Sequence, residues 1–342
     1  MTSLSEYSMN IPEQEYHDYP AWSYSMISKY AKEGFGAIAK IHEHTEPTPS
    51  MEFGSLFDSM ITRDPLDVMN EYEISDFVPT EGARRVFDRL LEKTTLPFDQ
   101  IPASVFEEAS FDFYANRSVD YRYKALEPMK EYYEARRKGK KVVSQQDWND
   151  ASEMMTALYA YKNTGDLFKH TQNDGIEYLY QLQFLQEVML PSWRMVNVKI
   201  MPDLLIVNHN DRTIQPVDLK TSSNPSFQFA ENFLKFRYDL QAAVYTDIIM
   251  LLIANKANEY EDYQVLPYVF ADISRSDKIP ATFNYDPKSD SQINGLCYKD
   301  YQYKDWMTLL DEIIDYEQTQ AVVPNYISLD HPNDLITLLN AR

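Results

Sequence analysis

Two short β-prone runs joined by a turn constrain this chain more than any other feature. Met201–Asn208 (MPDLLIVN) is the first run, and Thr213–Lys220 (TIQPVDLK) is the second. The residues between them, His209–Arg212, are turn-like, so we predict that the two runs form neighbouring strands of a hairpin. Asp203 stands near one end of the hairpin sequence and Asp218 near the other. The two carboxylates can therefore face each other.

The residue types in this hairpin favour a metal-assisted reaction at phosphate. Side chains alternate along a strand, so Asp218 and Lys220 point to the same face. Two carboxylates offer the hard oxygen ligands of Mg²⁺ or Mn²⁺, which keep several waters and bind phosphate oxygens. A lysine beside the metal can help deprotonate the attacking water or neutralise developing charge. Taken alone, the two motifs fit a surface hairpin with ordinary charges equally well.

A long segment after the hairpin adds polar groups at helical spacing. We predict one amphipathic helix over Phe227–Asn255, in which Arg237, Tyr238, Gln241 and Tyr245 share a face. Gln241 can hold the surroundings of the attacking water or a DNA phosphate, and Arg237 can grip a phosphate by a bidentate pair. Tyr245 either contacts substrate, orients Gln241 or packs the helix on the sheet.

The order of these motifs resembles the PD-(D/E)xK nucleases. The matching residues are Pro202-Asp203, then Asp218-Leu219-Lys220-Thr221, then the helix with Arg237, Tyr238, Gln241 and Tyr245. More narrowly, the chain resembles the phage exonuclease VIII (RecE-type) branch from about Tyr16 to Ile253. Segments that carry this narrower likeness are Tyr16-His17, Trp22–Ser25, Phe53–Asp58, and Val142–Trp148 continuing through Met154 and Met155.

The resemblance implies an α/β fold with a PD-(D/E)xK (restriction-endonuclease-like) core, in which helices flank a mixed β-sheet. We expect a single nuclease domain over residues 1–342. Residues 1–176 would form a mostly helical N-terminal part, residues 177–290 the catalytic sheet and crossing helix, and residues 291–342 a C-terminal helix and tail. The implied activity is that of a double-strand DNA exonuclease of recombination. A homo-oligomeric ring and a single-strand annealing partner are also implied, in a host cytoplasm if the chain is phage-encoded.

The expected site has three groups of residues. The catalytic residues are Asp203, Asp218, Lys220 and Gln241; the metal ligands are Asp58, Asp203, Asp218 and the Leu219 carbonyl; the substrate-binding residues are Arg237, Tyr238, Tyr245 and Thr221. Asp58 stands where the family usually has a histidine, which would make the site more acidic. An acidic residue is also expected on the preceding strand, where Gln183 and Glu187 are both candidates.

Charge is the main argument against a DNA enzyme. The chain has 53 acidic and 32 basic residues, a net charge of −21, whereas DNA-binding surfaces are usually basic. The basic run Arg136–Lys141 flanks a DNA channel on one interpretation and is a solvated loop on the other. Two further alternatives to an exonuclease are an endonuclease or DNA-repair nuclease of the same superfamily, and a non-catalytic relative that binds DNA or protein. A DNA mimic is a fourth.

Composition points to a reducing compartment. The single cysteine, Cys297, excludes an internal disulfide. No run of about eighteen apolar residues is present, so we expect no membrane span. The polar, acidic first twenty residues argue against a signal peptide. We therefore expect a cytoplasmic protein.

The remaining pattern predicts further elements. Strands are expected over Tyr178–Leu190, Met195–Asn208, Thr213–Leu219, Tyr263–Ser274 and Ala281–Tyr285. Helices are expected over Glu81–Glu92, Ala103–Tyr114, Ser118–Lys138, Gln145–Tyr161 (with Ser144 as N-cap) and Tyr303–Glu317.

Overall fold

The structure is a computed structural model that describes residues 3–43, 47–76, 79–168, 175–299 and 301–319. It is a mixed α/β fold with a mixed sheet, which confirms that part of the expectation. The chain divides into two compact units, Met1–Thr48 with Thr156–Arg342, and Pro49–Met155. Whether both units serve one nuclease domain stays a prediction. The expected tail Pro324–Arg342 lies outside the described residues.

The described helices are α1 (Glu13–Asp18), α2 (Tyr24–Glu33), α3 (Pro49–Thr62), α4 (Pro65–Glu71), α5 (Glu81–Lys93), α6 (Ala103–Ala109), α7 (Val119–Leu126), α8 (Lys130–Arg137), α9 (Gln145–Ala160), α10 (Lys162–Gly165), α11 (Phe229–Phe236), α12 (Tyr238–Asn255) and α13 (Trp306–Thr319). The strands are β1 (Tyr72–Ser75), β2 (Lys141–Ser144), β3 (Ile176–Tyr180), β4 (Phe184–Met189), β5 (Met195–Ile200), β6 (Leu204–Asn208), β7 (Thr213–Ser222), β8 (Gln264–Val265), β9 (Tyr268–Ser274), β10 (Pro280–Tyr285), β11 (Cys297–Tyr298) and β12 (Tyr301–Gln302). None of the helices in the described ranges is long and apolar enough to cross a membrane.

The main sheet of the first unit has the strand order β10-β9-β7-β6-β3, with β8 also pairing with β7. The β7 and β9 strands run parallel, and the other neighbours along that order run antiparallel. The fully buried positions Val217 and Phe270 lie on the central strands β7 and β9. The consecutive β7 residues Val217, Asp218 and Leu219 are all buried, so both faces of this part of the strand are shielded from water.

The predicted hairpin is present as β6 and β7. Its register pairs Asn208 with Thr213 at the turn and Leu204 with Val217 at the far end. One step beyond that last pair, Asp203 comes opposite Asp218. The hairpin therefore brings the two aspartates to the same end of the strand pair, as the sequence pattern predicted.

A proline lies inside the central strand β7, where a missing N–H would ordinarily cost a ladder hydrogen bond. Pro216 falls between the two strands that pair with that edge of β7. The β8 pairing ends at Ile214 opposite Val265, and the β9 pairing begins at Val217 opposite Val269. Between these two pairs, β7 has two residues and the facing segment has three. The regular ladder is therefore interrupted where Pro216 lies, and its missing N–H breaks no regular pair with β8 or β9.

The sequence prediction of one strand over Tyr178–Leu190 was wrong. The chain bends at Gln181, which has a positive φ of 49°. The segment before it, β3, joins the main sheet, whereas β4 forms a separate antiparallel pair with β5. Likewise, Met195–Asn208 is two strands, because Pro202 interrupts the run between β5 and β6.

The single helix predicted over Phe227–Asn255 was also wrong. It is divided into α11 and α12 at Arg237, which adopts the left-handed conformation with φ 56° and ψ 49°. The α12 helix is buried around most of its circumference, with Leu240, Val244 and Ile248 among its buried residues. A helix surrounded by protein is apolar on nearly all sides. Its few buried polar side chains, including Gln241, are therefore unusual enough to need partners.

The second unit has its own core, built from α5, α6, α7 and α8 around Phe87, Phe98 and Tyr133. The helices predicted over Glu81–Glu92 and Gln145–Tyr161 are present as α5 and α9. Ser144 caps α9 as expected, since its Oγ accepts a 2.9 Å hydrogen bond from the Asp147 amide. The segment predicted as one helix over Ser118–Lys138 is broken into α7 and α8 by a 3₁₀ turn at Glu127–Met129.

The basic run Arg136–Lys141 is largely neutralised within the second unit. Its ion pairs are Arg136–Asp88, Arg137–Glu134, Lys140–Glu73 and Lys141–Glu71. These contacts favour the interpretation of a paired surface segment over that of an open phosphate-binding patch.

An N-terminal strap, residues 3–22 of the first unit, packs along the strands that precede Asp203. The Gln183 side chain forms two hydrogen bonds with the backbone of Ile11 in the strap. Its Oε1 accepts from the Ile11 amide at 3.1 Å, and its Nε2 donates to the Ile11 carbonyl at 3.0 Å. Farther along, the Trp22 amide donates to the Asn197 carbonyl on β5. The strap is thus fixed to β4 and β5 by specific bonds.

Lys199 on β5 attaches the strap by three hydrogen bonds. Its side chain is buried, and Nζ donates to the backbone carbonyls of Tyr16, His17 and Tyr19 at 2.6, 2.8 and 2.9 Å. All three donor positions of the ammonium are therefore used. The first two of these carbonyls lie in the last turn of α1, where few amides remain to donate; the Tyr16 carbonyl also accepts from the Tyr19 amide.

We predict that Lys199→Met destabilises the protein by about 3 kcal/mol, because the apolar stem is kept while three charge-assisted bonds are lost. Denaturant unfolding at neutral pH measures the loss. The matched control is Lys29→Met, which removes a half-buried lysine that donates to a single carbonyl, that of Lys40. Equal losses in the two variants would show that Lys199 has no special role.

Candidate functional site

The candidate site is centred on Asp218 of β7, whose side chain is 1% exposed. Lys220, two residues along the same strand, places Nζ 2.5 Å from Asp218 Oδ2. From α12, Gln241 Nε2 donates to Asp218 Oδ1, also at 2.5 Å. The predicted alternation that turns Asp218 and Lys220 to one face is present, whereas the expected role of Gln241 toward water or phosphate stays a prediction. The Asp218 carboxylate therefore connects the Lys220 ammonium on β7 with the Gln241 side-chain amide on α12.

Asp203 lies opposite Asp218, just before β6 at the open end of the hairpin. Its Oδ2 accepts a 2.7 Å hydrogen bond from the Leu219 amide, and its carbonyl accepts from the Gln181 amide at 3.1 Å. The side chain of Asp203 is half-buried and the Leu219 side chain is buried. Asp203, Asp218 and the backbone of Leu219 therefore lie in one small region of the first unit.

Electrostatics hold Lys220 in its charged form. Burial alone would lower the pKa of Lys220, but the Asp218 carboxylate, with a smaller effect from Asp203, raises it above its usual range. Burial raises the pKa of Asp218, while Lys220 and Gln241 oppose that shift. A buried carboxylate that stays ionised needs such partners, or a cation, beside it.

Aromatic side chains surround this pair. Tyr238 at the start of α12 lies under Lys220, with Nζ 4.7 Å from the ring centroid. Tyr245 and Tyr268 contact each other edge to face at 6.1 Å, and burial raises the pKa of both hydroxyls. The Tyr268 hydroxyl lies close enough to Asp218 to lower the pKa of that carboxyl. The site is a low-dielectric pocket in which charges interact strongly.

Two further tyrosines near the site, Tyr16 and Tyr24, come from the N-terminal part of the first unit. Tyr24, on α2, is near enough to Lys220 and Asp218 for both to influence the pKa of its hydroxyl. Tyr16, in the strap held by Lys199, raises the pKa of Tyr245. Sequence reasoning gave these tyrosines no role beyond the family likeness, and only their long-range packing reveals their position.

Arg237 does not share a helical face with Gln241. Its guanidinium forms a bidentate pair with Asp239, at 2.9 and 3.0 Å, and it stacks over Tyr303 at 5.0 Å. The pair is buried, so Arg237 fixes the junction between α11 and α12. Its expected role in binding phosphate, like those of Tyr238, Tyr245 and Thr221, stays a prediction. Thr221 follows Lys220 on β7 and is half-buried.

The residues expected to complete the metal site are differently placed. Gln183 is bound to Ile11, as described above, whereas Glu187 lies exposed on β4. Asp58 belongs to the second unit, on α3, and its expected role as a ligand stays a prediction. Within the described residues, no group of three His, Cys, Asp or Glu side chains is arranged to hold a metal ion. Two carboxylates with a carbonyl and waters remain sufficient for Mg²⁺.

Asp272 is a carboxylate near the site that sequence reasoning missed. On β9 it is paired in register with Lys220, and it is 1% exposed. Its Oδ2 has no hydrogen-bond partner among the residues that the structure describes. Burial, reinforced by the charge of Asp277, raises its pKa to about 6, and Ser226 and Lys220 only partly oppose the shift. Asp272 follows Tyr268 and Phe270 at two-residue spacing in an apolar strand. That spacing places its carboxylate on the same buried face as the two rings, which is the sequence signal that could have identified it.

Comparison with known proteins adds no argument about this site. No protein-family model and no curated protein matches the chain. One solved structure, the crystal structure of SSO0001, aligns with a TM-score of 0.28 and 8% identity, over 78% of this chain and 85% of that chain. A likeness at that score carries no conclusion about fold or activity, so the site is interpreted from its own geometry.

We predict that Asp272→Asn stabilises the protein at pH 7 by about 2 kcal/mol and has little effect near pH 4. The folded pKa of about 6 lies above the ordinary aspartate value of 3.8, so ionisation penalises the folded state as pH rises through this window. Unfolding free energies measured at several pH values test this. The control is Asp290→Asn at an exposed position. A constant difference across the pH range would contradict the assignment.

Proposed function

We propose that this chain is a metal-dependent deoxyribonuclease that hydrolyses DNA phosphodiester bonds, with a double-strand exonuclease of recombination as the preferred form. The observation that carries the proposal is the convergence on one hairpin end of Asp203, Asp218 and Lys220, with Gln241 bonded to Asp218. The residues support phosphodiester hydrolysis in general. The exonuclease form, a ring assembly and an annealing partner rest on the resemblance to the RecE-type branch.

The donor set fits Mg²⁺ or Mn²⁺. Asp203 and Asp218 supply carboxylate oxygens, and the Leu219 carbonyl would be the third oxygen ligand. Gln241 adds a more specific observation: its Oε1 is buried and has no hydrogen-bond partner in the described part of the chain. A buried acceptor of this kind calls for a water or another donor. A hydrated cation held by the neighbouring carboxylates would bring such a water.

Each residue of the chain has a distinct task in this proposal. A bound metal would lower the pKa of its water and offset the negative charge of the phosphate. Lys220, kept protonated by Asp218, can donate to a phosphate oxygen and stabilise the charge that develops there. Gln241 orients Asp218 through Nε2 and can accept from water through Oε1. The surrounding tyrosines keep bulk water out, which strengthens these interactions.

The second candidate is a non-catalytic relative that binds DNA or protein. The net charge of −21 and the lack of a three-carboxylate cluster among the described residues favour it. An endonuclease or DNA-repair nuclease is the enzymatic alternative. The buried arrangement of Lys220, Asp218 and Gln241 favours an enzyme. Burial of charged groups lowers the stability of a fold, and a catalytic role gives a reason for a chain to keep them.

Digestion of end-labelled linear DNA and closed circular DNA, with Mg²⁺ or with EDTA, tests the proposal. We expect Mg²⁺-dependent loss of the linear substrate alone. Cutting of both substrates would indicate an endonuclease. Absence of cutting with both Mg²⁺ and Mn²⁺ would favour the binding protein.

We predict that Asp218→Asn weakens Mn²⁺ binding by about tenfold or more and abolishes DNA cleavage, because one anionic ligand is lost. Titration calorimetry with Mn²⁺ gives the affinity independently of activity. Asp290→Asn, the same chemical change at an exposed position, should behave like the parent. Unchanged Mn²⁺ affinity in Asp218→Asn would remove this residue from the metal site.

We also predict that Lys220→Met lowers turnover by about 10²-fold or more, with a smaller effect on Mn²⁺ affinity. Because Lys220 and Gln241 bond the same carboxylate, the losses from Lys220→Met and Gln241→Leu should be non-additive in a double-mutant cycle. Thr246→Val is the control, a change at another buried polar residue of α12. Additive losses accompanied by lowered stability would reduce Gln241 to a packing residue.

A further inference from the structure

An exposed aromatic ring lies next to the candidate site and is connected to it by stacked side chains. Phe236, the last residue of α11, is 36% exposed. Its ring stacks on Tyr238 with centroids 5.7 Å apart and an interplanar angle of 28°. Tyr238 also contacts Lys220, whose Nζ lies 4.7 Å from the ring centroid. A continuous path of rings therefore leads from the buried Asp218–Lys220 pair to the surface.

Two lysines flank the exposed ring. Lys235 Nζ lies 5.2 Å and Lys32 Nζ lies 6.0 Å from the Phe236 ring centroid. Both lysine side chains are exposed. We name Lys32, Lys235 and Phe236 the aromatic rim.

The rim is held in position by α2. Tyr24 and Ser28 donate their hydroxyl hydrogens to the Phe236 carbonyl at 2.9 and 3.0 Å. This carbonyl ends α11, where the left-handed turn at Arg237 leaves it available. Lys32 lies one turn beyond Ser28 and therefore on the same face of α2. The position of the ring relative to both lysines is thus set by the backbone and not only by flexible side chains.

The rim places two cationic groups together on the surface of an acidic chain. Elsewhere in the described residues, many cationic groups, such as Arg89, Arg137 and Arg194, form ion pairs with carboxylates. Neither Lys32 nor Lys235 forms an ion pair within the described part of the structure, although the charge of Glu33 acts on Lys32. The ammonium groups of Lys32 and Lys235 therefore have no carboxylate partner among the described residues, although the protein has a net charge of −21. Their positive charge is available to bind an anion.

We propose that the aromatic rim binds the nucleic-acid strand that enters the candidate site, with one base stacked on Phe236 and phosphates held by Lys32 and Lys235. This inference rests on the proposed nuclease function and adds a substrate-binding surface outside the catalytic residues. Aromatic faces flanked by cations bind single strands, because any base can stack and the backbone is anionic. The stacked path to Lys220 makes the rim continuous with the place of cleavage.

The test measures binding separately from cleavage. Fluorescence anisotropy with a labelled phosphorothioate single strand, which resists hydrolysis, gives the affinity of the full chain. We expect Phe236→Ala to weaken binding by about tenfold. The double variant Lys32→Ala with Lys235→Ala should make the slope of log affinity against log salt shallower by about 1.4, because each phosphate contact to a single strand contributes about 0.7. Phe236→Leu, which keeps an apolar side chain at the end of α11, should weaken binding even if Phe236→Ala folds poorly.

Matched controls exist elsewhere on the surface. Phe111 is exposed and has Arg89 5.0 Å from its ring, so Phe111→Ala removes a similar cation–aromatic contact in the other unit. Lys299 and Tyr298 form an exposed pair in the first unit, at 5.1 Å. Phe111→Ala and Lys299→Ala should leave binding and the salt slope unchanged.

The outcomes separate this inference from the proposed function. If the parent digests DNA while the rim variants bind like the parent, the rim is excluded and the nuclease proposal stands. If the parent binds through the rim but does not digest DNA, the rim stands and the nuclease proposal fails. A parent that neither binds nor digests DNA overturns both.

Discussion

The buried contact between Asp218 and Lys220 is the constraint on which the rest of the first unit depends. Burying a charged pair on a central strand costs solvation free energy, which is offset only when the geometry is good and further hydrogen bonds satisfy the two groups. Gln241 fills one position on Asp218, and Tyr238 covers the ammonium of Lys220. The position of α12 against β7 is therefore specified by polar contacts as well as by apolar packing.

The N-terminal strap completes this environment from the other end of the chain. Lys199 and Gln183 fix the strap to β4 and β5, so that Tyr16 comes close to Tyr245. Through α2, the same part of the chain supplies Tyr24 to the site and holds the carbonyl of Phe236. The burial of the site and the geometry of its carboxylates are thus linked through a small set of long-range bonds. Changes in the strap are expected to alter the site without touching Asp203 or Asp218.

Local sequence signals were sufficient to predict the β6–β7 hairpin, but not the helix break and the long-range hydrogen bonds that surround it. The turn at His209–Arg212 and strand alternation determine the register, and the register alone brings Asp203 opposite Asp218. The break at Arg237 was not predictable from helical spacing, because it depends on a left-handed residue stabilised by the Asp239 ion pair. The three carbonyl partners of Lys199 lie about 180 residues away in the sequence, so local patterns could not predict them and only the folded chain shows them.

The central claim is that Asp203 and Asp218 hold a divalent metal in front of Lys220. An anomalous difference map from crystals grown with Mn²⁺ tests it most directly, since the ion is located without reference to activity. The account predicts a peak about 2 Å from a carboxylate oxygen of each aspartate. A fully occupied Mn²⁺ site elsewhere, with Lys220 still bound to Asp218 and no density between the two aspartates, would contradict it.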